Sequence, residues 1–364
     1  MKNALIIVGK ALKQNPIFVA YLKREVTKSV GLVDMTLFIG KNDETFSTEI
    51  KETIKTYQNV IIAAAEGFEL VGKILSTQTS DSLVYKQNML LPSKATEMAE
   101  DSYALMNVNV IRIYVSKKIP NILLHSYKER SVFLFCDEAE AKRFEKLALI
   151  FKVESLGVKL IDGLWQYSLV SKTEIGVQRL IKEAREMITQ KILTGNDLSF
   201  IIAQRLIETN RTITFAESCT GGLIVSELTK NSGVSSIFKG SIVSYANEVK
   251  STLVGVKEET LEKFGAVSEQ TVNEMLGGVM QKFDSDFSLA VSGVAGPDGG
   301  SKEKLVGTVY VGAKNRQNEP IIKRLMLVGD RIYIQQSSVY WALKLLVESD
   351  EKLFFKFMPK SLDK

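Results

Sequence analysis

The strictest constraint on this chain is an alternation that runs through its first 155 residues. Short, wholly apolar runs ("ALIIVG", "MTLFIG", "NVIIAAAEG", "RSVFLFC") are separated by longer stretches in which apolar residues recur every three to four positions ("PIFVAYLKREVTKSVG", "TFSTEIKETIKTYQ", "DEAEAKRFEKLALIF"). A run apolar on both alternating faces is a strand covered on two sides, and the intervening spacing is that of amphipathic helices. Strands that must be covered on both faces, each followed by a helix, predict an α/β domain with a largely parallel sheet. The opening "MKNALIIVGKALKQ" has too short an apolar core for a signal peptide and reads as the first strand. No segment approaches the roughly 18 uncharged apolar residues of a membrane span.

The length of 364 residues calls for more than one domain. A short α+β segment is expected over 156–195. Its strands are "GVKLIDG" and "LWQYSLVS", and its charged helix is "TEIGVQRLIKEAREMITQKI". That helix stops near Thr194-Gly195-Asn196-Asp197, where Asn196 or Asp197 is an N-cap for the next, so a boundary is placed there. The third part, 196–364, starts with helix "DLSFIIAQRLIETN", strand "TITFAE", loop "SCTGG" and helix "LIVSELTKN". Next come strand "GSIVSYANEV", helix "SEQTVNEMLGGVMQKF" capped by Ser268, strand "FSLAVSG" and loop "VAGPDGGSKEK". A hairpin of "LVGTVYVGAK" and "IIKRLMLVG" and the helix "RIYIQQSSVYWALKLLVESD" close the chain.

Residue usage removes several chemistries. Two cysteines, Cys136 and Cys219, are too few for a disulfide framework and suit a reducing cytoplasm. The single histidine, His125, excludes a multi-histidine metal site; with no acidic neighbour it reads as a surface or packing residue. Forty-seven basic against 42 acidic residues is a mild, dispersed excess, without the basic density of a nucleic-acid arm. A small anionic substrate is compatible with it.

Two strand-to-loop junctions concentrate hydroxyls and glycines, "AESCTGG" and "AVSGVAGPDGG". Loops beyond the carboxyl ends of strands are where α/β folds bind ligands. The first loop opens a helix, whose free amides and dipole favour an anion or a developing oxyanion. Either loop alone is equally a turn that needs small residues. Between them lies "SYANEVK", with Tyr245, Asn247 and Lys250. A desolvated lysine of lowered pKa is a base for a serine where histidine is unavailable. In the resulting Ser-Lys scheme Ser218 attacks an amide or ester, Lys250 carries the proton and loop amides hold the oxyanion. Tyr245 would relay a proton or orient the substrate, and Ser292 would bridge serine and lysine. The competing readings are a solvated surface Lys250 and Cys219, at the helix start, as nucleophile. Arg331, beside Gly329 and Asp330, is either an anion clamp or a salt-bridge partner of Asp330. Asp298 is a turn-former.

Taken in order, "TFAESCTGGLIVSEL", "GSIVSYANEVKSTLVGV", "FGAVSEQTV", "AVSGVAGPDGGSKEKLVGTVYVG" and "GDR" resemble the C-terminal domain of the CinA family over roughly 197–350. The resemblance implies a three-layer α/β/α domain similar to nicotinamide mononucleotide (NMN) deamidase. That activity converts NMN to nicotinate mononucleotide and ammonia in pyridine nucleotide salvage, with neither metal nor cofactor. It further places the family's functional positions on Ser218, Lys250, Tyr245, Ser292 and Arg331, the first three as catalytic residues; Thr220, Gly221, Gly222 and Gly293 join Ser292 and Arg331 as expected substrate contacts from their place on the two loops. A cytoplasmic homodimer is expected. The pattern departs at Ile334-Gln335-Gln336, where the family usually has a further arginine, and at Leu305, where it has proline.

Residues 1–155 resemble the molybdopterin-binding-like N-terminal domain of CinA proteins more weakly, through "ALIIVG", "YKQNMLLPSKATEM" and "RSVFLFCDEAEAKRFEKLA". "KALKQN" and "EGFELVG" stand where that domain carries its acidic and glycine-rich loops, so this half reads as a degenerate scaffold for folding or oligomerisation. The middle segment, where the family has a KH-like module, shows no GxxG loop, and RNA binding is not expected. The rival functions are a non-catalytic protein associated with competence and DNA damage, and a metal-dependent nucleotide pyrophosphatase.

Overall fold

The structure is a computed structural model that describes residues 2–115, 117–124, 130–171 and 174–355; His125 lies outside them. The chain divides into two compact units, Met1–Glu129 with Val170–Lys172, and Arg130–Leu169 with Thr173–Lys364.

The first unit runs β1 (Asn3–Val8), α1 (Pro16–Val30), β2 (Met35–Ile39), α2 (Phe46–Thr56), β3 (Asn59–Ala64) and α3 (Phe68–Gln78). It continues with β4 (Leu83–Lys86), β5 (Met89–Pro92), β6 (Glu97–Ala99), β7 (Ser102–Leu105) and β8 (Val108–Arg112). Six strands form one sheet in the order β2-β1-β3-β8-β7-β6, parallel through β8 and antiparallel beyond it. Both faces are covered, as the apolar runs require. Leu5 and Ile7 pack with Phe18, Leu22 and Val26 of α1, while Ala4, Ile6 and Val8 pack with Phe46 and Ile50 of α2 and Phe68 and Val71 of α3. At the carboxyl ends of the parallel strands the ionisable groups pair with one another, Lys10 with Asp43 (2.9 Å) and Lys41 with Glu66 (3.8 Å).

The second unit starts earlier than the sequence suggests. β9 (Arg130–Leu134), α4 (Glu138–Ile150), β10 (Glu154–Ile161), β11 (Leu164–Val170), α5 (Glu174–Met187) and β12 (Ile192–Thr194) build a four-stranded sheet ordered β10-β11-β9-β12. The boundary expected at 155 therefore falls near 130. "RSVFLFC" pairs antiparallel with β11 and β12, and Phe133 and Phe135 enter the core of the C-terminal part. The helix expected to run through "MITQKI" ends at Met187, because Ile192 and Leu193 pair with Leu134 and Phe133 as β12.

The remaining elements are α6 (Leu198–Glu208), β13 (Ile213–Glu217), α7 (Leu223–Thr229), β14 (Phe238–Val243), the turn α8 (Asn247–Val249) and a π-helical turn Lys250–Val254. After them come α9 (Glu258–Phe264), α10 (Glu269–Phe283), β15 (Phe287–Gly293), β16 (Thr308–Asn315), β17 (Ile321–Met326), α11 (Arg331–Ser349) and α12 (Glu351–Phe355). Asp197 and Ser268 cap α6 and α10 as expected, accepting from Phe200 N and Thr271 N. The sheet order is β14-β13-β15-β16-β17, with the first three strands parallel and the last two a hairpin. Ile213, Phe215, Leu289 and Val291 face Leu198 and Ile202 of α6, Ile224 of α7 and Ile334 of α11. Ala216 and Ala290 face Val272, Met275 and Val279 of α10. This is the three-layer α/β/α arrangement. Among the described residues no helix is long and apolar enough to cross a membrane.

The π-helical turn is held by a close backbone approach. A Cβ on Gly278 of α10 would lie 1.7 Å from Val254 O, whereas one on the neighbouring Gly277 would meet nothing within 4 Å. Gly278→Ala must push the turn off α10 and is expected to cost about 1–3 kcal/mol, as overpacking does. Gly277→Ala is expected to stabilise by about 0.5–1 kcal/mol through helix propensity. Urea denaturation of the two variants checks this opposition of sign.

Candidate active site

Three parallel strands end together, and each delivers a piece of the site. β13 leads into Ser218, β14 into Ser244 and Tyr245, and β15 ends on Ser292 and Gly293. The turn after β13 needs its glycines: Gly221 and Gly222 have φ of 63° and 101°, the left-handed region that side chains disfavour. Gly222 is the N-cap of α7.

Lys250 is 1% exposed and sits at the start of the π-helical turn, a backbone irregularity that recurs at functional sites. Its Nζ donates to Ser244 O (2.6 Å), Tyr245 O (3.1 Å) and Ser218 Oγ (3.1 Å). No carboxylate pairs with it among the described residues. Desolvation therefore pushes the Lys250 pKa below the ordinary lysine value. The surface-lysine reading is thereby removed, and the serine–lysine contact is present.

The helix start does not serve an external anion as anticipated. Glu217, the last residue of β13, is fully buried, and its carboxylate accepts from Gly222 N (3.0 Å), Ile224 N (3.2 Å) and Val225 N (2.9 Å). An internal anion thus occupies the positive end of α7. Ser218 N donates to Val291 O and Gly221 N to Ser218 O, both at 3.0 Å. Within 218–225 only the amides of Cys219 and Thr220 have no acceptor in another described residue. Gly221 and Gly222 shape the turn and do not offer their amides. The Thr220 hydroxyl is enclosed without a partner.

Cys219 points the other way. It is 4% exposed, packs in the core with Phe215 and Ile224, and burial pushes its thiol up to about 12. A thiol so rarely ionised is a poor nucleophile at neutral pH. Cys136 is buried likewise, its thiol also pushed up to about 12.

Two expected contacts are replaced by others. Ser292 does not bridge serine and lysine; its Oγ donates to Ala266 O (2.7 Å) and ties the "FGAVSEQ" loop to β15. Tyr245 is exposed, and its hydroxyl accepts from Arg331 Nη2 (2.9 Å), so it touches Lys250 only through its carbonyl. Arg331 also donates from Nη1 to Gly296 O (2.7 Å). It forms no salt bridge with Asp330, whose carboxylate caps α11 by accepting from Tyr333 N (2.8 Å). Among the described residues no carboxylate neutralises Arg331. Gly293 lies where a Cβ would meet Thr308 O at 2.9 Å, a constraint of strand packing. Sequence reasoning missed Glu217 and Gln335; the latter donates from Nε2 to Cys219 O (2.7 Å).

A family model described as "CinA C-terminal domain" matches residues 196–349. A CinA-like protein of Prochlorococcus marinus strain MIT 9515 is 38% identical over 224 residues, 58% of this chain and 52% of the relative. The chain belongs to the CinA family. A CinA-like protein of Fervidobacterium nodosum is 47% identical over 156 residues, 42% of this chain and 38% of the relative. Among solved structures, the competence/damage inducible protein CihA of Agrobacterium tumefaciens is 35% identical. That match covers 43% of this chain and 97% of CihA, with a TM-score of 0.41. The chain spans about half the length of the curated CinA relatives it matches. The residues of the candidate site, from Glu217 to Gln335, all fall inside the matched CinA domain.

A prediction concerns Glu217, because three amides at the start of α7 depend on it. Glu217→Ala is expected to cost about 3 kcal/mol, and Glu217→Gln, which keeps one acceptor oxygen, about half of that. Urea midpoints at constant slope would show it.

Proposed function

We propose that the C-terminal domain hydrolyses the carboxamide of NMN to nicotinate mononucleotide and ammonia. The observation that carries this reading is the contact between Ser218 Oγ and the buried, carboxylate-free Lys250 Nζ at 3.1 Å. A general base must start uncharged, and desolvation lowers the Lys250 pKa in that direction.

In this scheme Ser218 Oγ attacks the carboxamide carbon and its proton passes to Lys250. The tetrahedral oxyanion meets the amides of Cys219 and Thr220, the two left open by the Glu217 cap. The C–N bond breaks and ammonia departs with the proton from Lys250, leaving an acyl-serine. Water then attacks the ester, giving its proton to Lys250, which returns it to Ser218 as the acid is released. The un-neutralised Arg331 suits the substrate phosphate. Its bond to the Tyr245 hydroxyl makes Tyr245 an orienting residue for that clamp.

Ammonia release from NMN tests the reading; folded protein that releases none at high concentration sinks it. Ser218→Ala and Lys250→Ala are each expected to reduce kcat by at least about 10³-fold. In the wild type kcat/KM should rise with pH and level off above a midpoint lower than 10.5, the ordinary lysine value. The sign follows from Lys250 acting in its deprotonated form. Arg331→Ala should raise KM about 10- to 100-fold with little change in kcat, as loss of one charge-assisted contact would.

A further inference from the structure

We infer that Gln335 is a positioning residue that aims the Thr220 amide into the site. The inference rests on the Ser218 acyl-transfer reading and deepens it. Gln335 lies one helical turn after Arg331 on α11, half-buried, and its Nε2 donates to Cys219 O at 2.7 Å. That carbonyl belongs to the same peptide unit as the Thr220 N–H. The unit is trans, since Gly296-Pro297 is the cis bond in the chain's described backbone. In a planar trans peptide the N–H points opposite to the C=O. Holding the carbonyl on the Gln335 side therefore fixes the amide on the other side.

Five neighbouring hydrogen bonds close off the alternatives. Ser218 N is tied to Val291 O, Gly221 N to Ser218 O, and Glu217 holds the amides of Gly222, Ile224 and Val225. The Cys219–Thr220 peptide is the unit in this turn that could still rotate, and Gln335 is the side chain that stops it. A donor bonded to the carbonyl also polarises the peptide and strengthens its N–H as a donor. Because Arg331 and Gln335 share the first turns of α11, the anion clamp and the oxyanion donor are set by one rigid element. Gln335 is thus the group that grips the nucleophile turn. The side-chain requirement there is a hydrogen-bond donor.

The test uses the full chain and three variants: Gln335→Met without a donor, Gln335→Glu with acceptors only, and Gln335→Arg with a donor. Two readouts are taken, NMN turnover and the rate of Ser218 modification by a fluorophosphonate. In the latter the Oγ–P bond forms, the P–F bond breaks, fluoride leaves and the serine proton passes to Lys250. The same oxyanion position is used without any need for the nucleotide. Gln335→Met and Gln335→Glu are expected to lose roughly tenfold or more in kcat and in modification rate, with KM unchanged. Gln335→Arg should stay within about threefold of the wild type in both, rescued by its donor. Wild-type rates in the Met and Glu variants overturn the inference. So does an equal loss in all three variants with a rise in KM, which marks general disruption of the turn. If Gln335→Met does not fold, the contrast between the Glu and Arg variants decides. Wild-type protein that is modified at Ser218 with this Gln335 dependence but releases no ammonia from NMN retires the NMN reading and keeps the inference. Wild-type protein unreactive to both overturns both.

Discussion

A carboxylate without a cation holds the site together. Glu217 ends β13 in a place with no water, and a free carboxylate there would be strongly unfavourable. It is tolerated because the first turn of α7 supplies three amides and the positive end of a dipole. The pairing works in both directions, since the first amides of a helix have no partner within the helix and need acceptors from outside it. Its geometric result is a chain that leaves β13, reverses through two left-handed glycines and enters α7 with Ser218 on the bend. Ser218 inherits a fixed position without spending its own hydroxyl on the turn.

The charges of the site follow from this separation. The buried anion is satisfied by backbone, so the buried Lys250 is left to carbonyls and to Ser218, and no nearby carboxylate raises its proton affinity. Arg331 is likewise bonded to neutral oxygens, from Gly296 and Tyr245. Among the described residues, Arg331 therefore stands as a positive charge without an internal counter-ion, the electrostatic condition for receiving an anion, while Lys250 is free of any carboxylate that would hold its proton.

Much of this arrangement was legible in the residues. Apolar runs alternating with helical spacing identified the α/β layers, and the two glycine loops with Lys250 between them identified the strand ends that converge. What was not legible depended on pairing. "RSVFLFC" is an apolar run that announces a buried strand and is silent about which sheet receives it, so the boundary near 130 escaped. "KIL" continued a helical pattern until β9 offered it a ladder. Glu217 was hidden as the final residue of a strand, where the one clue was an acidic side chain in an otherwise apolar run. Ser292 and Tyr245 do lie at converging strand ends, but the orientation of a side chain there is decided by its tertiary neighbours.

The shared core of the second unit carries one more consequence. Phe133, Phe135, Ile161 and Leu164 pack in the same cluster as Leu198 and Ile202, each such side chain contributing about 1.5–3 kcal/mol when buried. The CinA C-terminal family model starts at residue 196, yet the hydrophobic mass that keeps α6 in place begins more than sixty residues earlier. The extent of the family model and the unit of folding are therefore different lengths of chain here. A fragment cut at residue 196 would carry an uncovered apolar flank, and only one that starts before β9 would keep the Phe133 and Phe135 packing against it.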